Sequence, residues 1–435
     1  MKIYYQKQTK QALKNFPFSI QKMPLEFVRA LAEVKKAAAR ANRASRNLAP
    51  KIARAIEQAC DEVIKGKMDE QFPVPSLQGG AGTSINMNVN EVIASRASEI
   101  LKNKIEVHPN DHVNKSQSTN DVNPSALKIA SIRLAKELLE STDALAEALD
   151  KKSKEYASVS KLARTHLQDA VPTTLGAEFG SYSAIVSRDQ ERIKHALLYL
   201  YDLNLGGTAI GNSMNASKAY QARVYAELKK ITGLGVRPAG NLMSQTSSQT
   251  DFVMLSSSLV TFALDLSKIA SDLRLMASGP KGGFGEIKLK ELQPGSSIMP
   301  GKVNPVMPEV VNQLYYLVHG NHESIAQASR DSQLELGVMG PIIADRLIES
   351  LKLTSQVARQ FAKQCVIPLK ANKEACKKHL EASTAYATLL TPKLGYDAVS
   401  KAVKDAVKSN RTIREVIIEQ GLLTEKAFEE ITTSF

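Results

Sequence analysis

One stretch gathers the residue types that chemistry on an anionic substrate needs: Gly295-Ser296-Ser297-Ile298-Met299-Pro300-Gly301-Lys302-Val303-Asn304-Pro305. Its glycines and prolines argue against a helix or a central strand and permit unusual backbone angles. Loops carried between rigid helices are where binding and catalytic groups concentrate. The Lys302 ammonium, the Asn304 amide, two hydroxyls and free backbone N–H groups can hold an anion, and a serine among such donors can act as a base if they stabilise its alkoxide. Two plainer readings compete. A Gly/Ser/Pro stretch can be a linker. It also looks like a phosphate loop, but five residues separate Gly295 from Gly301 where that pattern has four. Val303 stands where a magnesium-binding hydroxyl is needed, and no strand run leads in. The nucleotide reading is rejected.

Other polar blocks carry chemistry-bearing side chains. Gln78-Gly79-Gly80-Ala81-Gly82-Thr83 opens a helical pattern, and a helix start offers N–H groups to an anion, with a plain N-cap as the structural alternative. His108 to Asp121 is too polar for a core, and its Ser118-Thr119-Asn120 precede a long helical run, where they can simply cap it. Arg164-Thr165-His166-Leu167-Gln168-Asp169-Ala170-Val171-Pro172 reads as a hinge with one histidine. A Gly-rich segment, 206–215, interrupts the next helix. His319 and His322 lack a third ligand, so no metal site is expected.

The elements that must position these blocks are helical. Apolar residues recur at helical spacing over 24–66, from Pro124 to about Tyr156 (Leu127, Ile132, Leu138, Leu145), over 175–202, 308–329 and 341–364. Residues 245–277 are apolar on almost every face, which predicts a helix buried on several sides, including against other subunits; Asp251, Asp265, Lys268 and Asp272 exclude a membrane hairpin. Tryptophan is absent and aromatics are 5% of 435 residues, so an aliphatic core suits packed helices better than a β-sandwich. No run of about 18 uninterrupted apolar residues is present, which speaks against a membrane span. The net charge of +13 is spread along the chain without aromatic interleaving, which argues against a nucleic-acid surface and mildly favours dianionic substrates. Cys60, Cys365 and Cys376 fall in no paired motif and no signal peptide opens the chain, so reduced thiols in a cytoplasmic protein are expected.

GSSIMPGKVNP resembles the signature loop of the fumarase/aspartase superfamily, and the continuation PVMPEVVNQ is more similar to aspartate ammonia-lyases than to fumarate hydratases. Five separated blocks in the family's order extend the resemblance over essentially the whole chain. The opening segment matches through Tyr5, Gln8-Thr9 and Asn15-Phe16. Relatives carry further residues upstream, and Gln11 stands where they commonly have arginine. Gly211-Asn212-Ser213-Met214-Asn215 departs from the usual Gly-Thr-Gly-x-Asn. The His108-Pro-Asn-Asp part resembles a second, non-catalytic anion site of fumarases.

The resemblance implies an all-α, three-domain protomer with a central long-helix bundle: an N-terminal domain 1–117, the bundle 118–368, and a small C-terminal domain 369–435. It implies a homotetramer whose active sites are each shared by three subunits. The implied catalytic residues are Ser296 as base, His166, and Glu309 as its partner. Thr83, Ser118, Thr119, Asn120, Thr165, Lys302 and Asn304 are implied to bind a small dicarboxylate, with no cofactor and no metal. The implied reaction removes a proton from the carbon next to a carboxylate, through an aci-carboxylate, and releases ammonia from L-aspartate to give fumarate. Ser118-Thr119, 371–376 and 417–425 favour that reading. His112 and Gly395-Tyr396-Asp397 are closer to fumarate hydratase. A retired lyase scaffold is the reading of another class, kept by Gln11, Asn212 and the absent upstream segment.

Overall fold

The computed structural model describes residues 2–18 and 20–432, and it is helical almost throughout. Its contacts group the chain into two compact units. The first comprises Met1–Glu140, Asp189–Ala263 and Tyr315–Gln356, the second Ser141–Arg188, Leu264–Leu314 and Val357–Phe435. The outermost residues, Met1 and Phe435, lie outside the described residues, so the ends of the expected three-segment division do too.

The first unit opens with α1 (Lys7–Asn15), α2 (Leu25–Ala44), α3 (Pro50–Ile64) and α4 (Thr83–Ile100). The α1 start has no cap of its own. Glu91 on α4 substitutes for one: its carboxylate accepts from the N–H groups of Gln6 (2.8 Å), Gln8 (2.7 Å) and Thr9 (3.1 Å) and from the Thr9 hydroxyl (2.6 Å). A negative group at a helix N-terminus satisfies orphan donors and complements the helix dipole. Helix α2 buries Ala30, Leu31, Val34, Ala37, Ala38 and Ala41, small side chains that let α3 and α7 (below) approach closely.

The chain continues through α5 (Thr119–Glu155), the strands β1 (Ser160–Thr165) and β2 (Gln168–Thr174), α6 (Leu175–Leu198), β3 (Asp202–Leu203), α7 (Lys218–Thr232), β4 (Arg237–Pro238), α8 (Leu242–Ser247) and α9 (Thr250–Met276). Three features differ from the sequence expectation. The predicted hinge is an antiparallel hairpin, β1 with β2, pairing Thr165 with Gln168 and Ser160 with Thr174. The long apolar stretch 245–277 is a short helix followed by a longer one, broken at Ser248-Gln249. Helix α5 begins at Thr119, so Pro124 lies inside it. A proline has no N–H for the carbonyl four residues back. That carbonyl, Asn120 O, instead accepts from the buried Asn204 side chain at 3.0 Å.

Helix α9 is long and apolar enough to cross a membrane by length and composition alone. Its Phe252, Leu255, Leu259 and Phe262 are buried in the first unit and its Leu266, Ile269 and Leu273 in the second. Asp251 is ion-paired with Lys128 at 2.6 Å, and Asp272 accepts from Tyr182 at 2.9 Å. These are the marks of a core helix.

After β5 (Ile287–Lys288) come α10 (Val306–Arg330), α11 (Gly340–Phe361), β6 (Lys370–Ala371), α12 (Lys373–Ala382), α13 (Ala387–Leu394), α14 (Tyr396–Ser409), α15 (Ile413–Glu419) and α16 (Glu425–Thr432). Strands β5 and β6 pair antiparallel. Helices α13 to α16 close a small apolar core around Leu390, Val399, Ile417 and Phe428, and α15 starts with a reciprocal Thr412–Glu415 capping box.

The hairpin is seated by a buried ion cluster. Glu286, with no exposed side-chain surface, meets Lys161 at 2.9 Å and Arg164 at 2.8 Å, and lies 3.2 Å from His379 Nδ1. Burial works to raise the Glu286 pKa, but the two cations outweigh it and hold the carboxyl below its usual range. Arg164 also covers the Phe284 ring at 4.1 Å.

Two expectations follow. Asn204→Ala strands the Asn120 carbonyl and should cost about 2 kcal/mol in chemical denaturation; an unchanged midpoint would show that water replaces the amide. Because the Glu286 pKa is lowered, its stabilisation is present above the ordinary carboxylate pKa and is lost as acid titrates the folded group. Glu286→Gln should therefore lower the melting temperature at neutral pH and lose less than the parent below about pH 4.

Candidate functional site

The first unit carries two of the polar blocks. Ahead of α4 the chain turns through Gly80–Gly82, with Ala81 at φ 55° and Gly82 at φ 85°. Asn123 on α5 donates to the Ala81 and Gly82 carbonyls at 3.1 Å each. A Cβ on Gly82 would lie 2.6 Å from that amide nitrogen, so the close approach requires glycine. The Gln78 side chain accepts from the Ile85 N–H at 3.0 Å, and the Thr83 hydroxyl donates to the Gly80 carbonyl at 2.7 Å. Part of the donor set expected at this helix start is thus satisfied internally, while Thr83 itself is exposed.

Asp121 organises the start of α5. One carboxylate oxygen accepts from the Ser118 N–H at 2.8 Å, the other from the N–H groups of Gly206 (2.9 Å) and Thr208 (3.1 Å). Burial pushes its pKa up to about 6, against the pull of those three donors and of Lys35. The Gly-rich segment is thereby tied to the Ser118-Thr119-Asn120 block, and the Asn120 amide adds a bond to the Ala209 carbonyl at 2.8 Å. Ser118 accepts from the Asn120 N–H at 3.2 Å, and Thr119 Oγ1 accepts from Asn86 Nδ2 at 3.1 Å. Thr119, Asn120, Gly82, Gln249, Gly337 and Pro341 border one narrow cleft. Gly211 is also obligatory, since its Cβ would come within 2.4 Å of the Met243 backbone nitrogen.

The second unit carries the rest. Thr165 and His166 lie at the exposed tip of the β1–β2 hairpin. His166 and Leu167 both adopt positive φ (54° and 61°), the two-residue turn that suits strand twist, here without glycine or asparagine. Such backbone costs on the order of 1 kcal/mol per residue. Among the described residues no hydrogen bond or ion pair joins His166 to Glu309, which is exposed in the first turn of α10.

The 295–305 loop closes at its neck. A Cβ on Gly295 would sit 1.8 Å from the Lys302 carbonyl oxygen, and Asn304 Nδ2 donates to the Gly295 carbonyl at 2.7 Å. Asn304 therefore clasps the loop, a task its sequence context did not suggest. Ser296 Oγ accepts from the Ile298 N–H at 3.2 Å, and Ile298 is 83% exposed, which puts the loop's apolar tip in the open. Beside the loop lies an open cleft of about 730 Å³ lined by Arg274, Lys288, Lys302, Asn304 and Ser278. No carboxylate lines it among the described residues, an arrangement suited to an anion.

The remaining candidates are structural. Cys60, Cys365 and Cys376 are free and buried, and burial pushes Cys365 up to about 12 and Cys376 to about 11, which keeps them protonated. His322 pairs with Ser256 at 2.9 Å and His319 stacks on Tyr315. His108 caps its own turn by accepting from the Asp111 N–H at 3.1 Å. Among the described residues no three His, Cys, Asp or Glu side chains gather as a metal set. Sequence reasoning missed Asp121, Asn86, Asn114 and Glu286. Asn86 and Asn90, four apart and so on one helix face, were the available signal.

Comparison with known proteins is unequivocal at family level. Residues 2–320 match the family described as Lyase, and residues 387–434 match Fumarase C C-terminus. An aspartate ammonia-lyase of Bacillus subtilis is 43% identical, aligned over 100% of this chain and 92% of its own. A mitochondrial fumarate hydratase of Saccharomyces cerevisiae is 42% identical over 98% of this chain and 89% of its own. A solved structure of a fumarate lyase:delta crystallin from Brucella melitensis, bound to cobalt, superimposes with TM-score 0.96 at 43% identity, covering 99% of this chain and 95% of that one. The chain belongs to the fumarase/aspartase superfamily of lyases, with its all-α fold.

Proposed function

We propose that the protein is an aspartate ammonia-lyase, converting L-aspartate reversibly to fumarate and ammonia. The observation that carries the choice of substrate is sequence-borne: PVMPEVVNQ after the loop, Ser118-Thr119, and the 371–376 and 417–425 segments resemble aspartases. In this reading the Ser296 alkoxide takes the Cβ proton, and the N–H of Ile298, 3.2 Å from its oxygen, favours that anion. The carbanion electrons pass into the adjacent carboxylate as a dianionic aci-carboxylate. Its collapse forms the carbon–carbon double bond and breaks the carbon–nitrogen bond, so the ammonium group leaves as neutral ammonia. Donors fixed in advance around a developing dianion supply about 3 to 4 kcal/mol each when well placed. Thr83, Ser118, Thr119, Asn120, Thr165, Lys302 and Asn304 take that part, with His166 and Glu309 at the substrate's other end.

The three-segment division 1–117, 118–368 and 369–435 belongs to this reading, as does a homotetramer with active sites drawn from three subunits. Exposed apolar side chains on α9 and α10 support an assembled helical core: Met254, Leu264, Leu275, Val310, Tyr316 and Leu317 are each at least 42% exposed. Single apolar residues on a surface need no partner, but a set on neighbouring turns of core helices does.

Fumarate hydratase is the second reading, favoured by Gly395-Tyr396-Asp397 and His112. Ultraviolet absorbance of fumarate separates the two. The enzyme should form fumarate and ammonia from L-aspartate and none from L-malate; the reverse result would make it a hydratase, and silence with both would point to a different succinyl-type substrate or a retired scaffold. Ser296→Ala should lower turnover about 10³-fold without changing the melting temperature. If sites are shared, mixing inactive Ser296→Ala with inactive His166→Ala subunits after dissociation should restore part of the activity; none restored in confirmed mixed tetramers would place both residues in one subunit's site.

A further inference from the structure

Behind Thr119 lies a buried polar relay that the chemistry above leaves unused. Lys35 on α2 has no exposed surface, and its ammonium donates to Asn114 Oδ1 at 2.7 Å. The same oxygen accepts from Asn86 Nδ2 at 3.4 Å and Asn90 Nδ2 at 3.3 Å, both on one face of α4. Asn86 Nδ2 also donates to Thr119 Oγ1 at 3.1 Å. An ammonium out of water is costly, and an apolar side chain of similar length would pack there without that penalty.

The chemistry of the groups gives the relay a direction. A lysine ammonium donates and cannot accept, so only the carbonyl end of the Asn114 amide can face it. That oxygen can only accept, so the amide that faces it must present its NH₂ end, and Asn86 turns that end toward Asn114 and Thr119. The Asn86 carbonyl oxygen is left buried without a partner among the described residues, so this orientation is not the one its own surroundings would choose. Thr119 Oγ1, already accepting an N–H, has its single proton to spend elsewhere, and its side chain borders the cleft with Gly82 and Asn120. Burial pulls the Lys35 pKa down to about 7, against the attraction of Asp121 buried nearby, and the short contact to Asn114 Oδ1, an atom that can only accept, fixes Lys35 as the donor.

We propose that Lys35 is a positioning residue: through Asn114 and Asn86 it turns the Thr119 hydroxyl proton outward, toward a carboxylate of the bound dicarboxylate. The proposal rests on Thr119 as a substrate ligand, so the experiment includes that residue. Succinate, the saturated analogue of fumarate, serves as the probe in Lys35→Met, Thr119→Val and the double variant, each as assembled enzyme. Lys35→Met should weaken succinate inhibition and raise KM about 10-fold with kcat within about threefold, because a ground-state contact is lost rather than the base. The double variant should be no weaker than Thr119→Val alone, since both remove one donor. Asn86→Leu, which breaks the relay at its next link, gives the same test if Lys35→Met does not fold. Unchanged succinate binding in Lys35→Met, or losses that add fully in the double variant, would overturn the inference and leave Thr119 in place. Unchanged binding in Thr119→Val would remove the inference together with the role of Thr119.

Discussion

A charge buried among helices needs partners in place of water, and in the first unit Asp121 draws its donors from the backbone. Its two oxygens take N–H groups from Ser118, Gly206 and Thr208. Ser118 precedes α5, while Gly206 and Thr208 sit in a segment with no regular structure, which would otherwise bury orphan donors. One carboxylate therefore fixes the start of the longest helix and the path of a glycine-rich turn together. Burial lifts its pKa to about 6 even so, because those donors offset only part of the desolvation.

The second unit meets a comparable demand with Glu286, and here side-chain cations replace backbone donors. Lys161 and Arg164 both come from β1, so the ion cluster fixes the base of the hairpin whose tip carries His166. The tip itself stores strain, with two successive non-glycine residues at positive φ. A strained turn persists only when its flanks are over-determined. The buried carboxylate, the strand pairing and the Arg164–Phe284 contact supply that. At the 295–305 loop the constraint is steric: a glycine pressed against the Lys302 carbonyl and an amide clasp hold the neck, while the tip stays open.

Much of the architecture was legible because helical periodicity survives wherever one face is apolar: Leu127, Ile132, Leu138 and Leu145 predicted α5, and the family resemblance supplied its setting. The hairpin was not legible. Its strands show no clean alternation of buried and exposed residues, and its turn lacks the glycine or asparagine that would have announced it. Pro124 reads as a helix start because a proline's missing N–H usually ends a helix on its N-terminal side. Only a residue distant in sequence, Asn204, shows why the helix continues through it. Lys35 was hidden in plain view. It lies four residues after Leu31, on the buried face, and periodicity treats a lysine there as noise.

These misses share a cause. Candidate ligands such as Thr119 or Ser296 show in a sequence because their residue types suggest chemistry; the groups behind Thr119, Asn86, Asn114 and Asp121, look like ordinary polar residues until their partners are known. A hydroxyl or amide facing a dianion is useful only if its proton points the right way before the substrate arrives, since reorienting it during the reaction would spend the stabilisation it is meant to give. Direction comes from neighbours that can only donate or only accept. An ammonium only donates and an ionised carboxylate only accepts, and one of each lies buried behind the Ser118-Thr119-Asn120 block, as Lys35 and Asp121. Their burial costs stability, and the fixed polarity of the groups above them is what that cost secures.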